Sequence, residues 1–209
     1  MINVMIVEDD PMAQKLLEIF VGENSGYQVV HTIESAAMAE FYCMVSPIDL
    51  ILMDVCTAMN VSGLEAAEKI KSRFPNIKII IITSQPECSF IDRARAAGVE
   101  SFWYKTASAE EILTVMDRTM AGENIYPDTT PSLKLGDATS EKFSDRELEV
   151  LRLVVAGETD AVIAEKLFMS VRTVKQHIQS MRDKTGFRNR TELAVRARES
   201  GLVINDKTE

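Results

Sequence analysis

The chain has 209 residues, 46% of them hydrophobic, with three cysteines and a net charge of −9. That length holds two small domains or one large one, and that apolar content supports a packed core rather than global disorder. No apolar run approaches the ~20 residues of a membrane span, and Met1-Ile2-Asn3-Val4 lacks the basic flank of a signal peptide.

In chain order, Ile2 to Val7 reads as a buried parallel strand that ends at Glu8, Asp9 and Asp10. Pro11 to about Val21 reads as a helix, with Leu16, Leu17, Phe20 and Val21 at helical spacing. Tyr27 to His31 reads as a strand and Glu34 to Val45 as a helix. Ile48 to Met53 is a second buried run, ended by Asp54. A helix over Leu64 to Phe74 precedes the run Ile77 to Ile82, which ends at Thr83-Ser84. Glu87 to Ala97 reads as a helix stopped by Gly98. Ser101 to Tyr104 ends at Lys105, and a helix from Ser108 to Met120 presents Ile112, Val115 and Met116 on one face. Five strands alternating with five helices predict a doubly wound α/β domain with a five-stranded parallel sheet over residues 1–121.

Residues 122–140 carry Pro127, Pro131 and Gly136 among Thr, Ser and Asp, without sustained periodicity, and read as a linker. Residues 141–209 read as a small all-α domain of four helices. Ser144 and Glu147 have capping-box spacing, and Phe143 can staple onto Leu148. Leu148, Leu151 and Val155 give the first helix its apolar face, ended by Gly157. Thr159 caps a second helix, Asp160 to Phe168, predicted to bury Ile163, Ala164, Leu167 and Phe168. Ser170 caps a third, Val171 to about Thr185, ended by Gly186. The fourth runs from Thr191 to Ser200.

The charge is unevenly spread. Residues 1–122 carry 9 basic and 17 acidic side chains, whereas residues 170–198 carry 8 basic and 2 acidic. An acidic total argues against nucleic-acid binding, but a local cationic stripe matters more. On the third helix Val171, Val174, Ile178, Met181 and Thr185 fall on one side. Arg172, Lys175, Gln176, Gln179 and Asp183 fall on the other. Arg and Lys suit phosphates and guanine edges, and Gln suits adenine. The short turn Phe168-Met169-Ser170 makes Asp160 to Thr185 a helix-turn-helix whose second helix would enter a major groove. The competing reading is a solvated helix face on a small bundle, or a protein-docking domain.

Ligands bind outside the carboxyl ends of strands in open parallel sheets. The first domain therefore gathers Glu8, Asp9, Asp54, Thr83 and Lys105 in one crevice, equipment for a divalent cation and a phosphoryl group. Cys43, Cys56 and Cys88 are widely spaced and odd in number, which suits a reduced cytosolic protein without a disulfide framework.

These motifs carry a resemblance. Val7-Glu8-Asp9-Asp10, Leu52-Met53-Asp54, Ile82-Thr83-Ser84 and Tyr104-Lys105 resemble the receiver domain of bacterial two-component response regulators, over roughly residues 2–121. The resemblance implies a flavodoxin-like receiver with Asp54 as phosphoacceptor. It also implies Mg²⁺ bound directly by Asp9, through water by Glu8, and by Asp54 and the Cys56 carbonyl. Thr83 and Lys105 would bind the phosphoryl group, and Phe102 would be the aromatic whose rotamer follows Thr83. Asp10 takes no ligand role. Two departures stand out. Thr57-Ala58-Met59-Asn60-Val61-Ser62-Gly63 lacks the usual Pro and is one residue longer, and Thr106 follows Lys105 where many receivers carry Pro.

Ser144 to Leu151, Ile163 to Leu167 and Val171 to Ile178 resemble the LuxR-type helix-turn-helix of the NarL/FixJ regulators. That resemblance implies base contacts by Lys175, Gln176 and Gln179, and phosphate contacts by Arg172 and Thr173. It implies a dimer contact through Leu193, Ala194 and Ala197. The expectation is a cytoplasmic transcriptional regulator, a switch rather than a metabolic enzyme. Its partners would be a sensor histidine kinase, promoter DNA, a second copy of the chain when active, and RNA polymerase as a candidate. Two alternatives remain at this stage. One is a receiver-like regulator that binds DNA independently of phosphorylation. The other is a phosphatase using Asp54 as nucleophile, although dehalogenase-type enzymes place a carboxylate where Cys56 stands.

Overall fold

In a computed structural model the chain falls into two compact units, one formed by residues 1–84 and 89–129, the other mainly by residues from 130 onward. Residues 1–85, 87, 89–105, 109–128 and 132–203 are described. Cys88, Thr106, Ser108 and Pro131, named above, lie outside the described residues.

The first unit alternates β1 (Ile2–Val7), α1 (Pro11–Gly22), β2 (Tyr27–Ile33), α2 (Ala39–Val45) and β3 (Leu50–Asp54). A two-residue hairpin follows, β4 (Cys56–Thr57) against β5 (Val61–Ser62). Then come α3 (Gly63–Arg73), β6 (Lys78–Thr83), α4 (Phe90–Ala96), β7 (Ser101–Tyr104) and α5 (Ala109–Met120). The five main strands are parallel in the order β2-β1-β3-β6-β7, the doubly wound sheet expected. Burial on both faces explains the near-continuous apolar runs. Val4, Ile6, Leu50, Leu52, Ile80, Ile82 and Trp103 pack with Leu17 and Val21 of α1 and Ile112, Val115 and Met116 of α5. The alternate residues Met5, Ile51, Met53, Ile79 and Ile81 are equally buried.

Two helix starts differ from expectation. The segment from Glu34 opens as a 3-10 turn, Ala36–Met38, capped by Ser35, before α2 begins. Helix α4 starts at Phe90 rather than Glu87.

The second unit packs α6 (Asp145–Val155), α7 (Asp160–Lys166), α8 (Val171–Thr185) and α9 (Arg190–Ser200) around one core. Ser144 and Glu147 form the predicted capping box, and Thr159 and Ser170 cap α7 and α8 through their side chains. The buried face of α6 is Leu148, Val150, Leu151 and Val154, with Val155 only partly covered. Phe168 departs from expectation: it is 96% exposed, with φ at 52°. Its amide donates to Glu165 and that of Met169 to Ala164, so the chain reverses left-handedly off α7 and swings the Phe168 ring outward. Val171, placed on the apolar stripe of α8, is also exposed, because it sits in the first turn.

The stretch read as linker is structured at both ends. Ile125 bridges to Ser101 beside β7. Farther on, β8 (Lys134–Leu135) pairs with β9 (Ala138–Thr139), and Leu135 and Ala138 enter the helical core. Two-residue strands are too short to leave a periodic signal.

Candidate functional site

The crevice at the carboxyl end of the sheet is set by strand register. Val7 is level with Met53, Asp54 with Ile82, and Thr83 with Tyr104, so all four strands finish at one edge. Glu8 leaves β1 with its amide donating to the Ile33 carbonyl at 2.9 Å. Lys105 leaves β7 with its amide donating to the Thr83 carbonyl at 2.8 Å.

Ligand atoms of Glu8, Asp9 and Asp54 lie within 4.8 Å of one another. Lys105 Nζ lies 3.0 Å from Asp54 Oδ2 and also pairs with Glu8 Oε2. Glu8 and Asp54 are buried and Asp9 is exposed. Three carboxylates around one ammonium leave negative charge uncompensated, a donor set of hard oxygens suited to a divalent cation. The acidic pocket is therefore compatible with such an ion.

Burial pushes the Asp54 carboxyl up to about 7; the Lys105 ammonium opposes the rise and Glu8 adds to it. Burial disfavours charge on Lys105, but the neighbouring Asp54 and Glu8 carboxylates win, so its ammonium is held above the ordinary range. Val55 donates its amide to Asp54 Oδ1 at 2.7 Å, which fixes the carboxylate plane.

Asp10 has a structural task. It accepts from Met12 N at 2.7 Å and Ala13 N at 3.0 Å as the cap of α1. Those amides, Ala13 first, hold its carboxyl below the usual range. This accounts for its absence from the cation set.

The irregular segment after Asp54 is the β4–β5 hairpin. Thr57 Oγ1 donates to the Val61 carbonyl at 2.7 Å and accepts from Ala36 N at 3.0 Å, while Ser35 Oγ donates to the Ala58 carbonyl at 2.9 Å. Met59 within this hairpin takes a left-handed backbone, with φ at 62°. Sequence reasoning passed over Gly63 as a site residue: a Cβ there would fall 1.8 Å from the Asp54 carbonyl oxygen. Its signal was the glycine that closes the loop. Beside the site, the Tyr104 ring lies 5.1 Å from that of buried Phe102, and its backbone is level with Thr83.

In the second unit Arg172, Lys175, Gln176 and Gln179 are exposed on α8, opposite buried Val174, Ile178 and Met181. Thr173 is half-buried, its hydroxyl 2.8 Å from Ser170 Oγ at the helix start. Glu147 clamps α8 from α6: it accepts from Lys184 Nζ at 2.8 Å and from Ser180 Oγ at 2.7 Å. Burial pushes Glu147 up, but Lys184, the Ser144 amide and Ser180 outweigh it and hold the carboxyl below its usual range.

Leu193 and Ala197 are not available for a dimer contact: both are fully buried in the unit's own core. Ala194 is half-buried and Val195 is exposed. The helical pattern of α9 was legible, but its four small or apolar residues do not themselves reveal which face turns inward.

The family description "Response regulator receiver domain" matches residues 4–117, and "Bacterial regulatory proteins, luxR family" matches residues 141–197. Response regulator protein VraR of Staphylococcus aureus is 30% identical over 209 residues, covering 97% of this chain and 99% of the relative. VraR of Staphylococcus saprophyticus is 28% identical over 207 residues, with the same coverage. Among solved structures, two RcsB dimers bound to two parallel DNAs give a TM-score of 0.64 at 20% identity, over 93% of this chain and 96% of that one. RcsB of Salmonella enterica serovar Typhimurium, bound to promoter rprA in the presence of phosphomimetic BeF3−, gives 0.61 at 20% identity, over 95% and 98%. At that identity the likeness speaks to the fold.

Proposed function

The chain belongs to the response regulators that join a receiver domain to a LuxR-type DNA-binding domain, and from that premise we propose that Asp54 is its phosphoacceptor and that α8 reads promoter DNA under control of that phosphorylation. The observation that carries this reading is the approach of Lys105 Nζ to Asp54 Oδ2, 3.0 Å, in the crevice that also gathers Glu8 and Asp9.

In the proposed reaction the donor is a phosphohistidine of a sensor kinase. An Asp54 oxygen forms a P–O bond, the P–N bond breaks, and the imidazole nitrogen keeps the electron pair and takes up a proton. Asp54 attacks as the anion, whose share grows steeply as pH approaches about 7. Mg²⁺ held by Asp9 and Asp54, by Glu8 through water, and by the Cys56 carbonyl would neutralise the carboxylates and bind phosphoryl oxygens. Lys105 then pairs with the added anion, and the Thr83 hydroxyl bonds one of its oxygens. Phe102 follows Thr83, and the gain of these contacts shifts a pre-existing equilibrium towards the DNA-binding form. The chain is a switch that modifies itself rather than a turnover catalyst.

Arg172 and Thr173 take phosphates, and Lys175, Gln176 and Gln179 face base edges. The active form is a homodimer, since one short helix reads few base pairs; the exposed side of α9 around Ala194 and Val195 replaces the buried residues as its candidate contact. From the sequence bounds of 1–121 for the receiver and 141–209 for the DNA-binding domain, we extend the first unit to Ile125 and the second back to β8. The core positions of Leu135 and Ala138 favour a connection shorter than 122–140. Among the described residues no helix is long and apolar enough to cross a membrane, in keeping with a cytoplasmic regulator that meets RNA polymerase at promoters.

The test is DNA affinity before and after treatment with a small-molecule phosphodonor and Mg²⁺. Affinity should change for the parent and stay fixed for Asp54→Ala. An unchanged affinity in both would favour phosphorylation-independent binding.

A further inference from the structure

We propose that Asp183 and Arg182 determine sequence specificity by locking the Gln179 side-chain amide in the orientation that reads adenine. The inference rests on α8 being the DNA-reading helix. Gln179 Nε2 donates to Asp183 Oδ1 at 2.7 Å, and Arg182 Nη1 donates to Gln179 Oε1 at 3.0 Å. The partners sit three and four residues on, where helix neighbours meet. Arg182 is itself anchored: its Nε donates to the Phe187 carbonyl at 3.4 Å and its Nη2 to the Arg188 carbonyl.

A primary amide has two N–H donors and two acceptor lone pairs. Asp183 takes one donor and Arg182 one lone pair, leaving one of each. That remainder is the set adenine needs, a donor for N7 and an acceptor for the N6 amino group. A flipped amide would turn N–H groups towards the guanidinium and oxygen towards the carboxylate, so both ends oppose the flip. Guanine presents two acceptors and would meet the oxygen with one of them.

Charge gives a second line of argument. Asp183 is an exposed carboxylate on the face that carries Arg172 and Lys175. A carboxylate there repels phosphates and weakens binding to any duplex. The orienting bond to Gln179 is a role that a residue without a side-chain acceptor oxygen, such as Ala or Lys, would not fill.

The experiment uses the full chain and an operator selected by it from random duplexes. Each base pair of a half-site is then substituted in turn, and affinity is measured at two salt concentrations. The parent should prefer A·T over G·C at one position by about tenfold. Gln179→Ala should abolish that preference. Asp183→Ala should lose most of it while binding random duplex more tightly. Asp183→Asn, which keeps an oxygen acceptor without the charge, should retain the preference and also bind random duplex more tightly. An undiminished preference in Asp183→Ala or in Gln179→Ala overturns the proposal. Selection of no operator by the parent, or an operator affinity indifferent to Lys175→Ala, would instead overturn the assignment of α8 on which it rests.

Discussion

Gly63 and Asp54 are in backbone contact: a side chain on Gly63 would begin 1.8 Å from the Asp54 carbonyl oxygen and 2.9 Å from Met53 Cγ. The Gly63 amide also donates to the Val55 carbonyl at 2.9 Å. The first residue of α3 therefore packs directly on the strand end that presents the Asp54 carboxylate.

Gly63→Ala should destabilise the first unit by about 1–3 kcal/mol, since the obstacle is backbone and cannot rotate away. It should also slow phosphodonor labelling of Asp54 by displacing the strand end. Urea unfolding with parallel labelling rates measures both; parental values in both would show that the contact is dispensable.

The buried carboxyl gives a pH signature. Asp54 keeps its proton to about 7 when folded, against about 4 in an unfolded chain. Below about pH 4 both states are protonated and the group has no effect. Between about 4 and 7 only the folded chain holds the proton, so stability falls as pH rises. Above about 7 the loss is constant. Asp54→Asn lacks this penalty, so its stability relative to the parent should climb across that window and then level off. A divalent cation held by these carboxylates would compete with the proton, so the affinity of the parent for Mg²⁺ should rise about tenfold per pH unit up to about 7. Thermal melts across the window, with and without Mg²⁺, provide the check; parallel pH profiles for parent and variant would contradict the assignment.

Glu147 joins α6 to α8 through Ser180 and Lys184. Glu147→Ala should cost the helical unit about 1–3 kcal/mol and strand a partly covered ammonium. Because the folded carboxyl is held low, its contribution is present above the ordinary carboxylate range and is lost as pH falls through the folded value. Chemical denaturation near pH 7 should separate parent from variant, and the gap should close in acid.

Phe168 occupies a left-handed backbone position with its ring in solvent. Phe168→Asn should stabilise the second unit by about 1 kcal/mol, because Asn tolerates that conformation and no buried contact is lost. A drop in melting temperature would mean that the ring has a packing role.

How much of this was legible in the sequence depends on range. Glu8, Asp9, Asp54, Thr83 and Lys105 could be placed because each ends an apolar run, and a parallel sheet aligns such ends. The caps Ser144, Thr159 and Ser170 were legible because capping is local chemistry. The close packing of Gly63 on Asp54 was not, since it depends on how α3 docks. The outward turn at Phe168 depends on one backbone angle. Leu193 and Ala197 were misassigned because small apolar residues suit a core and an interface equally.

The most direct test of the central claim is to treat the chain with a small-molecule phosphodonor and Mg²⁺, reduce it with borohydride, and map the modified residue by mass spectrometry. An acyl phosphate on Asp54 is reduced to homoserine, so the account predicts homoserine at position 54 and none when Mg²⁺ is withheld. Homoserine at another aspartate, the corresponding alcohol at a glutamate such as Glu8, or a parental mass at residue 54 after efficient labelling, would contradict it.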